Sequence, residues 1–250
     1  MKETIKWVKN SMPASEDRQL DVMSLNHVAK ARAFHNSFPQ YSVTPLARLD
    51  GMAEHLGLGG LFVKDESYRF GLNAFKVLGG SFAMARYIAQ QMGRDVSEMT
   101  YDYLTSEAFR KEFGQATFFT ATDGNHGKGM AWSTHRLGGH AVVFMPAGTV
   151  DSRVEAIRAI GDTEVTVTDL NYDGTVATAA AYAKEHGGHL VQDTAFAGYE
   201  EVPKNIALGY STMAAEALEE LAALGAGEPT HTFLQAGVGS MAGGVAAYLA

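Results

Sequence analysis

No cysteine occurs anywhere in the 250 residues. That absence removes disulfides, thiolate zinc sites and a thiol nucleophile together. Proline is scarce, at 6 residues, and no Pro- or Ser-rich linker divides the chain, so any two domains must interleave instead of following one another. Positive charge is short as well. Lys+Arg number 20 against 28 Asp+Glu, a formal charge of −8. Nucleic acid and anionic membrane surfaces both require a basic face, so neither is expected as a partner. No apolar run approaches the roughly 20 residues that a membrane span needs. The opening MKETIKWVKN carries charges every few residues and no apolar stretch, which argues against a signal peptide. The expectation is a soluble, cytoplasmic protein.

What is present reads as globular: 46% hydrophobic residues and 27 glycines in a length that allows one large α/β domain or two small ones. From about residue 60, short β-rich runs alternate with helical patterns, the signature of parallel sheets with crossover helices. Strands are predicted at 61–65, 117–121, 141–145, 164–168, 189–193 and 231–235, and helices near 76–91, 126–137, 151–160, 174–186, 204–224 and 241–250. Gly138 and Gly139 should stop the second of these helices. Asp151 or Ser152 offers an N-cap for the third, and Gly161 closes it. Residues 91–115 break the rhythm with a charged and aromatic stretch, read as an inserted helical excursion. The final GSMAGGVAAYLA has no polar stop, so Ala250 reads as a cut through an element and the chain as truncated.

Three segments could carry chemistry. Lys76 follows a strand and a Gly-containing loop, and opens an apolar helix beside Gly79 and Gly80. An amine desolvated there would be the nucleophile that Schiff-base lysines need, although a lysine snorkelling from a helix end is the plainer reading. ATDGNHGKG (121–129) follows a strand and opens a helix, so its backbone N–H groups could hold a carboxylate, or could simply form a capped turn. QAGVGSMAGG (235–244) could wrap a phosphate, and through Gly237, Gly239 and Ala242 it also fits a weak dinucleotide pattern. No metal site is expected. His126 and His135 lack metal-pair spacing, and His186 and His189 flank a turn.

The order of these three segments resembles the fold-type II pyridoxal phosphate (PLP) enzymes, the tryptophan synthase β and threonine dehydratase group, from about Tyr41 with its YSVTPLARLD opening onward. The finer resemblance is to the diaminopropionate ammonia-lyases. It is carried by RFGLNAFKVLGG (69–80), TDGNHGKG (122–129), QDTAFAGY (192–199) and the excursion at 91–115. The resemblance implies an α/β fold of two interleaved open parallel-sheet domains. Residues 1–78 and 200–250 would be parts of the large PLP-binding domain and 79–199 the smaller one, with the rest of the large domain beyond Ala250. It further implies that Lys76 forms the Schiff base with PLP and that Asn125 bonds the cofactor's 3′-oxygen. Gly237, Val238, Gly239, Ser240 and Met241 would hold its phosphate. Thr122, Asp123, Gly124 and Asn125 would bind the substrate carboxylate. Asp123 and Asp193 would be the bases for the D- and L-isomers, although Asp193 could also merely cap a strand-end turn. The implied reaction is α,β-elimination of 2,3-diaminopropionate, a small amino acid, through an aminoacrylate to pyruvate and two ammonia, by a homodimer. The Ser, Thr or Cys that such enzymes place at the pyridine nitrogen comes from a C-terminal part that has no counterpart here. A serine/threonine dehydratase or β-replacing synthase of the same fold, or a Rossmann-like dinucleotide-binding module, are the alternatives.

Overall fold

A computed structural model describes residues 20–250. The readings made on residues 1–19, namely the signal-peptide argument and their place in the large domain, lie outside the described residues. The elements run α1 (Leu25–Asn36), β1 (Leu46–Arg48), α2 (Asp50–Leu56), β2 (Phe62–Lys64), α3 (Lys76–Met92), α4 (Tyr101–Leu104) and α5 (Glu107–Phe113). They continue with β3 (Thr117–Ala121), α6 (Asn125–Arg136), β4 (His140–Met145), α7 (Asp151–Arg158), β5 (Thr163–Val167), α8 (Tyr172–His186), β6 (His189–Leu190), α9 (Glu201–Ala223) and α10 (Ser240–Leu249). The excursion at 91–115 is helical as expected, with α4 and α5 each capped by a hydroxyl, Thr100 and Ser106.

Four strands form a wholly parallel sheet in the order β5-β4-β3-β6. Alternation along β4 decides its packing, because successive side chains leave a strand on opposite faces. Val142 and Phe144 join Ala179 and Ala183 of α8, whereas Ala141, Val143 and Met145 pack on Ala131 of α6 and on Val154 and Ile157 of α7. The chain steps outward from β3 through β4 to β5, then returns to the other side of β3 with β6. The direction of winding therefore reverses between β3 and β6, and in open parallel sheets ligands bind outside the C-terminal strand ends at that reversal.

A larger apolar cluster joins α1, α3, α6, α9 and α10, with Phe34, Phe82, Met84, Ile88, Met130 and Leu208 among its buried members. β1 and β2 form a separate antiparallel pair. Helix α3 is gripped at backbone distance from two sides. A Cβ on Gly129 of α6 would lie 2.9 Å from the Val77 backbone, and one on Gly209 of α9 would lie 2.4 Å from the Leu78 carbonyl. Only glycine permits so close an approach.

Three expectations need correction. Residues 231–235 form no strand: a β-run becomes a strand only by pairing, no described strand lies beside it, and Phe233 is 88% exposed. β6 stops at Leu190 instead of running to Asp193, because the Gln192 side chain takes over the ladder, its Oε1 accepting from the Ala121 N–H at 2.9 Å. Helix α7 has Val150 at its N-cap with no side-chain cap, so Asp151 is its first residue and acts only through charge at the positive end of the helix.

Candidate active site

The loop before α3 is unusual. Phe70 and Asn73 both adopt positive φ, at 50° and 58°, which side chains other than glycine seldom tolerate. Arg69 anchors the loop from below. Its guanidinium is buried and donates to Glu216 of α9 and to Glu66, at 2.7 to 2.9 Å. From above, Lys128 of α6 donates to the Leu72 carbonyl at 3.1 Å. Between these ties the chain turns so that Lys76 opens α3 at the C-terminal edge of the sheet.

There the Lys76 amine donates to Oδ2 of Asp193, which is buried at the end of the β6 segment. The expected apolar setting for this lysine is therefore replaced by a carboxylate partner. Burial pushes the Asp193 carboxyl up, but the charges of His126 and Lys76 pull it below its ordinary value. Gln192 holds the segment in place: its Oε1 accepts from Ala121 and Thr120, and its Nε2 donates to Tyr172. The Tyr199 hydroxyl accepts from the Gln192 N–H and donates to the Leu190 carbonyl, both at 2.8 Å. The Asp193 side chain reaches across to Lys76 from the end of this segment.

The turn after β3 is built differently from expectation. The buried Thr122 hydroxyl accepts from the Gly124 and Gly127 N–H groups, at 3.0 and 3.1 Å, and its own N–H donates to the Phe144 carbonyl. Thr122 thus caps the turn from beneath and does not face the cleft, and the Gly124 N–H is already used. Asp123, Gly124 and Asn125 do line a cleft of about 280 Å³ together with Lys76, Lys128, Ser152 and Arg153. Arg153 steadies the turn by donating to the Asp123 carbonyl at 2.9 Å. Sequence reasoning missed Arg153, and it quoted Gln192 and Tyr199 only as the ends of the QDTAFAGY motif, with no role. Lys128 stood inside a quoted motif without a role.

The glycine-rich loop arrives at the same place. Gly239 has φ 96°, and the Ser240 hydroxyl donates to the backbone carbonyl of Asp193. Gly237, Val238 and Gly239 are exposed, and α10 begins at Ser240, so the first N–H groups of that helix have no intrahelical acceptor. His126 is buried, with Nε2 on the Val191 carbonyl at 2.9 Å and Nδ1 unpartnered 3.9 Å from Asp193. His186 and His189 stack on Tyr182 and Tyr87. Among the described residues no three His, Asp or Glu side chains converge on a common point. A larger cleft of about 490 Å³ beside α1 and α9 holds the Arg32–Glu219 ion pair and none of the motif residues.

An amine, an amide side chain at Asn125 and the N-terminus of a glycine-rich helix therefore meet at one reversal point. That donor set fits a phosphorylated aldehyde. Residues 38–250 match the model of the family described as pyridoxal-phosphate dependent enzymes. The chain belongs to that family. A Rossmann-like dinucleotide module is thereby set aside, and the fold is that of the fold-type II members. The diaminopropionate ammonia-lyase of Salmonella typhimurium is 47% identical over 229 residues, which are 92% of this chain and 56% of the relative. The apo crystal structure of Escherichia coli diaminopropionate ammonia lyase superposes with a TM-score of 0.85 at 44% identity, covering 93% of this chain and 64% of that one. The same enzyme in complex with an aminoacrylate-PLP azomethine reaction intermediate gives 0.84 at 43% identity, covering 93% and 59%. The chain thus spans little more than half the length of the curated relative. Among the described residues no helix is long and apolar enough to cross a membrane.

Proposed function

We propose that this chain is the greater part of an ammonia-lyase that converts 2,3-diaminopropionate to pyruvate and two ammonia, with consumption of one water. The observation that carries the reading is the Lys76–Asp193 pair, with Asp123 on the wall of the same cleft. Bound pyridoxal phosphate supplies an electron sink for the charge left when the α-proton departs. The Lys76 amine would hold it, Asn125 would bond its 3′-oxygen, and the N–H groups of Gly237, Val238, Gly239, Ser240 and Met241 would take its phosphate. The substrate carboxylate would rest on the turn at Asp123, Gly124 and Asn125, with Thr122 shaping that turn from beneath. A carboxylate oxygen of Asp123 would remove the α-proton of the D-isomer, and one of Asp193 that of the L-isomer. Both carboxylates favour a substrate with a β-ammonium group, because a nearby negative charge attracts it and keeps it protonated until it leaves.

With this reading goes a division into residues 1–78 with 200–250 and residues 79–199, interleaved at α3, in a cytoplasmic homodimer. The test is a substrate panel on the full-length protein loaded with pyridoxal phosphate. D- and L-2,3-diaminopropionate should each yield pyruvate and two equivalents of ammonia, with serine and threonine far slower. Faster turnover of threonine would assign a dehydratase instead.

A further inference from the structure

Four buried side-chain atoms among the described residues have no hydrogen-bond partner: Gln40 Oε1, His126 Nδ1, His189 Nε2 and the Tyr210 hydroxyl. Tyr210 is the one whose ring packs on the first turn of α3. Its ring lies across Gly79, one turn along α3 from Lys76, where an added Cβ would come within 2.6 Å of the ring. Phe75, the residue before Lys76, meets it edge-on at 5.2 Å between centroids. These contacts account for an aromatic ring. They do not account for a hydroxyl, since an unsatisfied buried hydroxyl costs about 1–3 kcal/mol that phenylalanine would avoid.

We infer that the Tyr210 hydroxyl is a cofactor-binding group, donating a hydrogen bond to pyridoxal phosphate when Lys76 carries it. The ring contacts place Tyr210 under the first turn of α3, within the field of the Asp193 carboxylate. Burial, with that carboxylate, raises the phenol far above its ordinary pKa, so the group stays protonated and keeps its O–H to donate. This inference rests on the reading of Lys76 as the residue that holds the cofactor.

The experiment compares full-length wild type with Tyr210→Phe. Pyridoxal phosphate affinity is measured by titration of the apo-protein, and thermal melting is followed without cofactor. The expected result is an affinity about tenfold weaker with apo melting unchanged or raised, since the variant loses an orphaned hydroxyl and keeps the ring. Unchanged affinity would overturn the inference, and so would a fall in apo melting, which would make the hydroxyl a structural group. Borohydride reduction and peptide mapping of both proteins separate the two readings. A wild type with no pyridoxyl group on Lys76 removes the reading of Lys76 itself. Modified Lys76 in both proteins, with equal affinity, removes only the role of Tyr210.

Discussion

The Lys76 amine and the Asp193 carboxylate, 117 residues apart in the chain, form an ion pair where the winding of the sheet reverses. The pair joins the helix that opens after the strained loop to the segment that extends β6. Asp193 is buried, whereas Asp123 is exposed and lines the cleft with Lys76, and the proposed reading gives each carboxylate one isomer of the substrate. Asp193→Asn should therefore lower kcat/KM for L-2,3-diaminopropionate by about 10²–10⁴-fold while leaving the D-isomer far less affected. Asp123→Asn should do the reverse. Steady-state kinetics on both isomers checks this, and equal losses on the two would refute the assignment.

A second prediction concerns the ion cluster that ties down the loop. Glu216 is fully buried and accepts from Arg69, from the Tyr41 hydroxyl at 2.6 Å, and from Lys64 at 3.0 Å. Burial pushes its carboxyl up, but the hydrogen bonds and charge of Arg69 prevail and hold it at about 2, against an ordinary 4.5. Its stabilising contribution is thus complete above pH 4.5 and is lost as pH falls toward 2. Glu216→Ala leaves Arg69 partly uncompensated in the core and should cost about 3–5 kcal/mol in a urea titration at neutral pH. Arg69→Met with Glu216→Leu, which removes both charges, should recover most of that loss.

Much of this arrangement was legible because it is local. The β-rich runs at 117–121 and 141–145 placed β3 and β4 within one residue, and glycine-bearing segments that open helices pointed to Lys76, Asn125 and Ser240. Most of the misses depend on partners far away in the chain. HTFLQ has the composition of a strand, but composition cannot supply a neighbour. Gln192 ends β6 by bonding Ala121, 71 residues away. Arg153 reaches Asp123 across 30 residues from a helix whose pattern only shows that Val154 and Ile157 face inward. Thr122 caps its turn from the residue before the one a capping pattern would select. No periodicity encodes such contacts.

Acid should weaken the fold in the range where histidines titrate. His35 is fully buried, its ring bonded to Thr212 at 2.8 Å and to the Leu78 carbonyl at 2.9 Å, and burial pushes it down to about 3. His189 is pushed down to about 4 by the same cause. In the unfolded chain these rings take up protons near pH 6.5, so the unfolded state binds more protons than the native one below that pH. Stability is complete above about pH 6.5 and should fall by about 1.4 kcal/mol per pH unit for each such group, down to about pH 4 for His189 and pH 3 for His35. His189→Phe keeps the stack on Tyr87 and removes one proton site, so its stability curve between pH 6.5 and 4 should be flatter by one such increment. Denaturant titrations across that range read the slope, and an unchanged slope would exclude His189 as a contributor.

Gly209 and Gly243 make a contrast that tests how firmly α3 is held. A Cβ on Gly209 meets the Leu78 carbonyl oxygen at 2.4 Å and the Gly79 Cα at 2.9 Å, both backbone atoms that cannot swing aside. A Cβ on Gly243, inside α10, meets nothing within 4 Å. Gly209→Ala must therefore push α9 away from the first turn of α3, disturbing the placement of Lys76 against Asp193. It should cost about 1–3 kcal/mol in stability and weaken retention of pyridoxal phosphate. Gly243→Ala should be stabilising by roughly 0.4–1 kcal/mol, because alanine restricts the unfolded chain without strain in the helix. Thermal melting and cofactor retention of the two full-length variants decide it. If Gly209→Ala were as stable as Gly243→Ala and kept its cofactor as well, the α3–α9 contact could not be what sets the position of the lysine.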